Sequence, residues 1–211
     1  MWTNISGAMI RQGLKNSKLA FSGSIFRSTI AKLIYDNYCV NDDIVYDYSC
    51  GFGQRFLGAM ASKHNLKYIG AEPWTKSFES LNKMARFLNY QHKTEIYNVG
   101  SENFIEDKYI NQISLAFSSP PYFDTEIYCN ESTQCNLNDF QYYLHYWNKT
   151  CENIYLLLKK DGKFIINISD LYKDDLLQIA LEHKFTLIDT LHLKYRSFSK
   201  EKLEPVLVLQ K

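Results

Sequence analysis

The chain has almost no net charge: 24 Lys and Arg stand against 23 Asp and Glu, leaving +1 over 211 residues. A strongly basic balance would announce nucleic-acid binding in the bulk composition, and this one does not. No apolar run reaches the roughly 18 residues that a membrane span needs. The start, Met1-Trp2-Thr3-Asn4, lacks the basic stretch and apolar core of a signal peptide. A cytoplasmic protein with no membrane partner is therefore expected. The cysteines are Cys39, Cys50, Cys129, Cys135 and Cys151, odd in number and irregular in spacing. They form neither the tight pairs of a zinc site nor a disulfide framework, so reduced thiols and no metal are expected. No internal repeat and no low-complexity linker divides the chain, and its length suits one α/β domain with a full core. Charge does gather locally. Arg11, Lys15 and Lys18 cluster near the start, and Lys194, Arg196, Lys200 and Lys202 near the end. Each cluster reads either as a solvated surface or as a contact for a phosphate backbone.

What is present is an alternation of apolar runs and amphipathic helices. Strands are predicted over 44–48, 67–71, 95–99, 113–117 and 163–168, with two longer ones over 185–193 and 205–210. Helices are predicted over 54–64, 75–89, 138–159 and 171–182. The helix over 75–89 sets Phe78, Leu81, Met84, Ala85 and Leu88 on one face. The long one carries the stripe Phe140, Leu144, Trp147, Cys151, Ile154 and Leu158. Its C-terminus suits Lys159 and Lys160, with Asp161-Gly162 making the turn that follows. Such alternation predicts a mainly parallel sheet covered on both faces, with ligands beyond the carboxyl ends of the strands. Functional residues should lie just after strands.

After the first strand comes Asp47-Tyr48-Ser49-Cys50-Gly51-Phe52-Gly53. Gly51 and Gly53 either let a ligand approach the backbone closely or make a tight strand-to-helix turn. The second strand ends at Ala71-Glu72-Pro73, where a carboxylate can accept from both hydroxyls of a ribose. A nicotinamide-binding domain would also place an acid about 20 residues past its glycines. Two features argue against that reading. Phe56 stands where its third glycine would be, and Asp47 would repel a pyrophosphate. An acid at 47 fits a cationic ligand better, such as an ammonium beside a sulfonium. After the third strand, Ser101 or Glu102 could accept from an adenine amino group, or form a plain polar loop.

The fourth strand runs into Ser119-Pro120-Pro121-Tyr122-Phe123. Two consecutive prolines lock two φ angles and remove two N–H donors, which makes the loop stiff. The amino group of adenine or cytosine is a poor nucleophile, because its lone pair is delocalised into the ring. Two acceptors on its protons, Ser119 Oγ and the Pro120 carbonyl, would help it toward the tetrahedral geometry of attack. Tyr122 would stack on a base that has left its helix.

These residues resemble the amino-methylating DNA methyltransferase family, in Asp47-x-x-x-Gly51-x-Gly53, in Glu72 and in Ser119-Pro120-Pro121-Tyr122. The resemblance spans about residues 25 to 210. It implies a Rossmann-like class I methyltransferase fold: a seven-stranded mixed sheet, last strand antiparallel, with helices on both faces. It implies S-adenosylmethionine as methyl donor, held by Arg27, Asp47, Ser49, Gly51, Gly53, Glu72, Pro73, Ser101 and Glu102. It implies catalysis by Ser119, Pro120, Pro121 and Tyr122, with no metal. Arg27 lies in the segment Phe26–Ile34, which resembles the helix that precedes the cofactor loop and packs on the methionine end. Ser49 and Cys50 depart from the Phe and Ala or Met that family members often carry. Residues 1–24 are expected as an N-terminal arm and 25–211 as one catalytic domain.

The expected activity is methyl transfer to cytosine N4 or adenine N6 of DNA; Ser at position 119 is commoner in the cytosine enzymes. The alternatives are an RNA base methyltransferase and a silent subunit of a larger complex. No separate target-recognition domain is expected within these 211 residues, and only residues 123–137 and 192–204 are long enough to read sequence. Phe123-Asp124-Thr125-Glu126-Ile127-Tyr128 is acidic and the net charge is low. The expected partner is nucleic acid, with a partner subunit or a homodimer supplying recognition.

Overall fold

The structure, a computed structural model, describes residues 26–121, 123, 139–197 and 200–211. In chain order the elements are α1 (Ser28–Tyr38), β1 (Ile44–Asp47), α2 (Gln54–Met60), β2 (Lys67–Ala71), α3 (Thr75–Phe87) and β3 (Thr94–Tyr97). They continue with β4 (Ile113–Ser118), α4 (Phe140–Leu157), β5 (Leu158–Asn167), α5 (Lys173–Glu182), β6 (Thr186–Ser197) and β7 (Lys200–Gln210). The expected N-terminal arm, residues 1–24, lies outside the described residues.

The seven strands form one sheet in the order β3-β2-β1-β4-β5-β7-β6. Neighbours from β3 to β5 are parallel, and β7 runs antiparallel to both β5 and β6. The order reverses between β1 and β4, which opens a crevice beyond the carboxyl ends of those two strands. Every residue of β4 is buried, as a central parallel strand covered on both faces must be. One core lies between the sheet and α4 and α5, around Trp147, Phe164 and Leu176. The other lies on the opposite face, under α1, α2 and α3, around Tyr35, Phe56, Leu81 and Phe117.

Two boundaries differ from the sequence expectation for physical reasons. The long helix ends at Leu157, and Lys159 and Lys160 lie in β5 rather than at a helix end. Leu158 pairs with Ile113, the register then shifts, and Lys163 pairs with Leu115. Asp161, with φ +63°, makes its turn inside the strand, at the irregularity between the Leu158 and Lys163 pairings. At the other end, residues 194–197 continue β6 and residues 200–204 continue β7, paired as far as Ser197 opposite Lys200.

At the start of α4, the Asp139 side chain accepts from the Gln141 N–H at 2.9 Å. Such a cap contributes about 0.5–2 kcal/mol. Three thiols are described, Cys39, Cys50 and Cys151, all free and buried. Cys129 and Cys135 lie outside the described residues. Among the described residues no His, Cys, Asp and Glu cluster could hold a metal ion, and no helix is long and apolar enough to cross a membrane.

Candidate functional site

Loops after β1, β2, β3 and β4 meet at the carboxyl end of the sheet. Asp47 ends β1 and is 0% exposed. Its carboxylate accepts from Arg55 Nε at 3.0 Å, the Tyr68 hydroxyl at 2.7 Å, Ser118 Oγ at 2.7 Å and the Ser49 N–H at 3.2 Å. These donors come from α2, β2, β4 and the β1 loop, so one buried carboxylate ties four pieces of the site together. Burial works against the Arg55 charge, but Asp47 beside it more than offsets this and keeps the guanidinium protonated. Arg55 also donates to the Ser49 carbonyl, and Ser118 Oγ reaches that carbonyl at 3.2 Å. The sequence reading gave Asp47 a cationic ligand. The structure supplies the cation from within, eight residues along the chain, and leaves no Asp47 surface to touch a ligand.

The loop itself is tight. Gly51 has φ +54° and Gly53 φ +80°, where L side chains are strained. A Cβ at Gly53 would come within 2.6 Å of Leu81 Cδ2 on α3. The Gly51 N–H donates to Glu72 Oε2 at 2.7 Å, and its carbonyl accepts from Ser77 Oγ. Phe52 and Trp74 meet edge to face at 6.4 Å and, with Leu81 and Met84, line a groove of about 160 Å³ along this loop.

Glu72 follows β2 directly. Its other oxygen accepts from the Trp74 N–H at 3.0 Å. Burial pushes its carboxyl up to about 7, against the two backbone donors that pull it down. The Asn98 amide donates to the Glu72 and Pro73 carbonyls, both at 3.0 Å, and fixes the chain there.

After β3, Ser101 and Glu102 separate in role. The Ser101 hydroxyl is 3.0 Å from the Tyr146 hydroxyl and 2.9 Å from Thr150 Oγ1, sealed against α4. Glu102 folds its carboxylate over Gly100 and keeps Oε2 buried with no hydrogen-bond partner among the described residues. Burial raises its carboxyl above the usual range. Of the two, Glu102 is the one left with an acceptor to offer. Arg27 lies exposed at the N-terminus of α1, where its carbonyl accepts from Ile30 and Ala31.

The loop after β4 is held at its flanks. The Ser118 carbonyl accepts from the Tyr48 hydroxyl at 3.0 Å, and the Pro121 carbonyl from the Tyr143 hydroxyl at 2.7 Å. Phe123 sits against Phe140, Tyr143 and Tyr172 at centroid distances of 5.3, 5.7 and 6.3 Å. Between these anchors, Ser119 Oγ and the Pro120 carbonyl make no hydrogen bond among the described residues. Tyr122 lies outside the described residues.

Sequence reasoning missed Arg55, Tyr48, Tyr68, Ser118 and Tyr143. Only Arg55 left a trace, as a cation at the start of a helix facing an otherwise unexplained acid.

Residues 113–207 match the DNA methylase family model. That DNA methylase segment opens at β4, contains the diproline loop and ends in β7; the loops after β1, β2 and β3 precede it. Among solved structures, TrmN from Thermus thermophilus is similar at 14% identity over 94% of this chain and 52% of that one, with a TM-score of 0.66. An rRNA methylase from Streptococcus thermophilus is 19% identical over 90% of this chain and 98% of that one, TM-score 0.54. A geranyl diphosphate C-methyltransferase from Streptomyces coelicolor A3(2) is 12% identical over 87% of this chain and 78% of that one, TM-score 0.61. The chain thus spans about half the length of TrmN. No curated protein matches the chain in sequence. These likenesses, with the strand order, show the Rossmann-like methyltransferase fold that the sequence resemblance implied.

Proposed function

We propose that the chain is an S-adenosylmethionine-dependent methyltransferase acting on an exocyclic amino group of a DNA base, cytosine N4 or adenine N6. The observation that carries this reading is the loop after β4. It is stiffened by two prolines and tethered on both sides, yet its two adjacent acceptors, Ser119 Oγ and the Pro120 carbonyl, make no hydrogen bond among the described residues. Two acceptors are what a flat amino group requires to pyramidalise. They hold its two protons while the nitrogen lone pair turns toward the crevice between β1 and β4. No strong general base is required if the proton leaves the nitrogen after transfer. Tyr122, next in the chain, is assigned to stack on the base. The DNA methylase match covers this loop, which favours a DNA base.

The residues across the crevice fit the methyl donor. Each Glu72 oxygen accepts one backbone N–H and keeps a lone pair for a ribose hydroxyl. Glu102 Oε2 is a buried acceptor without a partner among the described residues, suited to an adenine amino group. Gly51, Gly53 and Ser49 supply backbone in a conformation that admits close approach. Pro73 and Arg27 flank the same region, and Asp47 and Ser101 shape it from behind. The donor supplies an electrophilic methyl on a sulfonium, and positioning by these residues accounts for most of the rate. The buried thiols suit the reducing cytoplasm, where we place the enzyme.

The test is mass spectrometry of nucleosides from DNA and RNA of cells expressing the chain, against a Pro121→Ala control. N4-methylcytosine or N6-methyladenine in DNA, absent in the control, is the expected result. A methylated base confined to RNA would replace DNA with RNA as substrate, a reading that the likeness to an rRNA methylase favours. No methylated base in either, with no cofactor binding by calorimetry, would leave a silent subunit.

A further inference from the structure

α4 carries two stripes on its buried side. Trp147, Cys151 and Ile154 form an apolar one in the core. Beside it, Tyr143, Tyr146, Thr150 and Asn153 recur at helical spacing, so their side chains share one face over about 15 Å at about 1.5 Å per residue. All four are buried. Burying polar groups costs free energy unless they are hydrogen-bonded, and a second apolar stripe would cover the sheet without that penalty. The polar stripe reaches two loops of the crevice. At one end Tyr143 holds the Pro121 carbonyl, as described above. In the middle, Tyr146 and Thr150 close on the Ser101 hydroxyl. At the other end Asn153, 4% exposed, donates from one amide nitrogen to two successive carbonyls, Ser101 at 3.0 Å and Glu102 at 2.9 Å.

Those carbonyls belong to the short 3-10 turn Ser101–Asn103. The turn is anchored on both sides. The Ser101 hydroxyl is sealed against α4 before Glu102, and Phe104 follows it, stacked on Tyr46 at 5.0 Å and packed on Tyr97 at 4.9 Å. Asn153 grips what lies between. The Ser101 carbonyl belongs to the peptide that enters the Glu102 Cα, and the Glu102 carbonyl to the peptide that leaves it. Holding both peptides fixes the backbone angles of Glu102 and hence the direction of its side chain. A primary amide, with two N–H donors on one nitrogen, can bridge both carbonyls. The carboxylate is steadied further along, where Oε1 accepts from the Asn103 amide at 2.8 Å, while Oε2 has no partner among the described residues.

We propose that Asn153 is a positioning residue for the cofactor: by fixing both peptides around Glu102 it aims Oε2 at the adenine amino group and sets the preference for an adenine-bearing methyl donor. The inference rests on the Glu102 assignment above. A hydrogen bond discriminates between ligands when its acceptor is held where the donor arrives; a carboxylate free to turn finds water instead, and the preference disappears. One helix then aims both sides of the reaction, the diproline loop through Tyr143 and the adenine acceptor through Asn153.

The test measures, by calorimetry on the full chain, the affinity for S-adenosylhomocysteine and for its analogue with hydrogen in place of the adenine amino group. Wild type should prefer the first by at least about tenfold, because the analogue leaves a buried acceptor unpaired. Asn153→Leu keeps the size of the side chain and removes both donors. Its preference should fall to about twofold or less, with the analogue bound as tightly as by wild type. A merely structural role would weaken both ligands alike and keep their ratio; that result would overturn the proposal, as would an unchanged affinity for both. If Asn153→Leu does not fold, Asn153→Ser serves, with one shorter donor and a smaller fall in the same ratio. Wild type that binds the two ligands equally, or binds neither, would remove Glu102 from the adenine and the proposal with it. A wild-type preference that survives in the Asn153 variants would leave Glu102 in place and remove Asn153 alone.

Discussion

The loops after β1 and β4 face each other across one crevice and are built on opposite plans. In the β1 loop the principal polar groups are satisfied inside the protein: Asp47 by Arg55, Tyr68, Ser118 and Ser49, and Gly51 by Glu72 and Ser77. In the β4 loop the outer carbonyls are tied to Tyr48 and Tyr143, and the two acceptors between them make no hydrogen bond among the described residues. A loop that presents backbone to a ligand benefits from a closed network, because rigidity lowers the cost of ordering it on binding. A loop that grips a reacting amino group must keep acceptors unpaired, and two prolines supply the stiffness that hydrogen bonds would otherwise give. Substitutions in the first loop should therefore appear mainly in stability and cofactor affinity, and substitutions in the second mainly in turnover.

The strongest test of that division is Arg55→Leu. It leaves the Asp47 carboxylate buried without its cation, and breaking a buried pair from one side costs about 3–5 kcal/mol. Denaturant unfolding should show a loss of that size. An unchanged midpoint would mean that Asp47 is satisfied by its hydroxyl donors alone, and the closed network would lose its centre. Ser119→Ala probes the other side. Turnover should fall about a hundredfold, the scale at which removal of one preorganised hydrogen-bonding group is felt. Thermal stability and cofactor affinity should be unchanged, since Ser119 Oγ bonds to nothing among the described residues. A variant with full turnover would reduce the diproline loop to a structural turn.

The next effect is a pH dependence. The Glu72 carboxyl is raised to about 7 by burial, and ribose hydroxyls would bond best to its ionised form. Cofactor affinity should therefore rise as pH climbs from about 6 to 8, by about tenfold, one pH unit below the pKa being worth a factor of ten. The sign reverses for stability of the free protein. Folded Glu72 holds its proton more tightly than the unfolded residue does, so its stabilising contribution is complete below about 4.5 and lost as pH rises through about 7. Isothermal calorimetry across this range tests the first effect, and Glu72→Gln should flatten the curve. A wild-type affinity independent of pH would remove Glu72 from the ribose.

The fold was largely legible because β1, β2 and β4 are short and mainly apolar and alternate with amphipathic helices. The placement of Gly51, Gly53, Glu72 and Ser119 after strands followed from the same alternation. The failures have a common physical origin. Lys159 and Lys160 suit a helix end, but pairing of Leu158 with Ile113 overrides local preference. The residues that hold the site, Tyr48, Tyr68, Ser118 and Tyr143, sit on elements distant in sequence. The Ser118–Asp47 bond spans 71 residues, and periodicity within a single element carries no information about such a partner. Asp47 was read as an acid that fits a cationic ligand, and the cation beside it in the structure is Arg55. What a sequence could not reveal was that Arg55 turns back to meet it.

The smallest predicted effect bears most directly on how the open loop stays stiff. Tyr143 lies on α4, where its ring packs with Phe123, Phe140 and Tyr146, and its hydroxyl donates to the Pro121 carbonyl at 2.7 Å. Tyr143→Phe keeps the ring and deletes one hydrogen bond, a change of about 0.5–1.5 kcal/mol. Turnover should fall about three- to tenfold, with the KM for cofactor unchanged, because Tyr143 acts on the loop and not on the cofactor's side of the crevice. A double-mutant cycle with Ser119→Ala separates positioning from general destabilisation. If Tyr143 works by aiming the acceptors, its loss should matter less once Ser119 Oγ is gone, and the two losses will be sub-additive. Strict additivity would mean that the bond supports α4 rather than the loop, and that the two prolines alone hold the loop rigid.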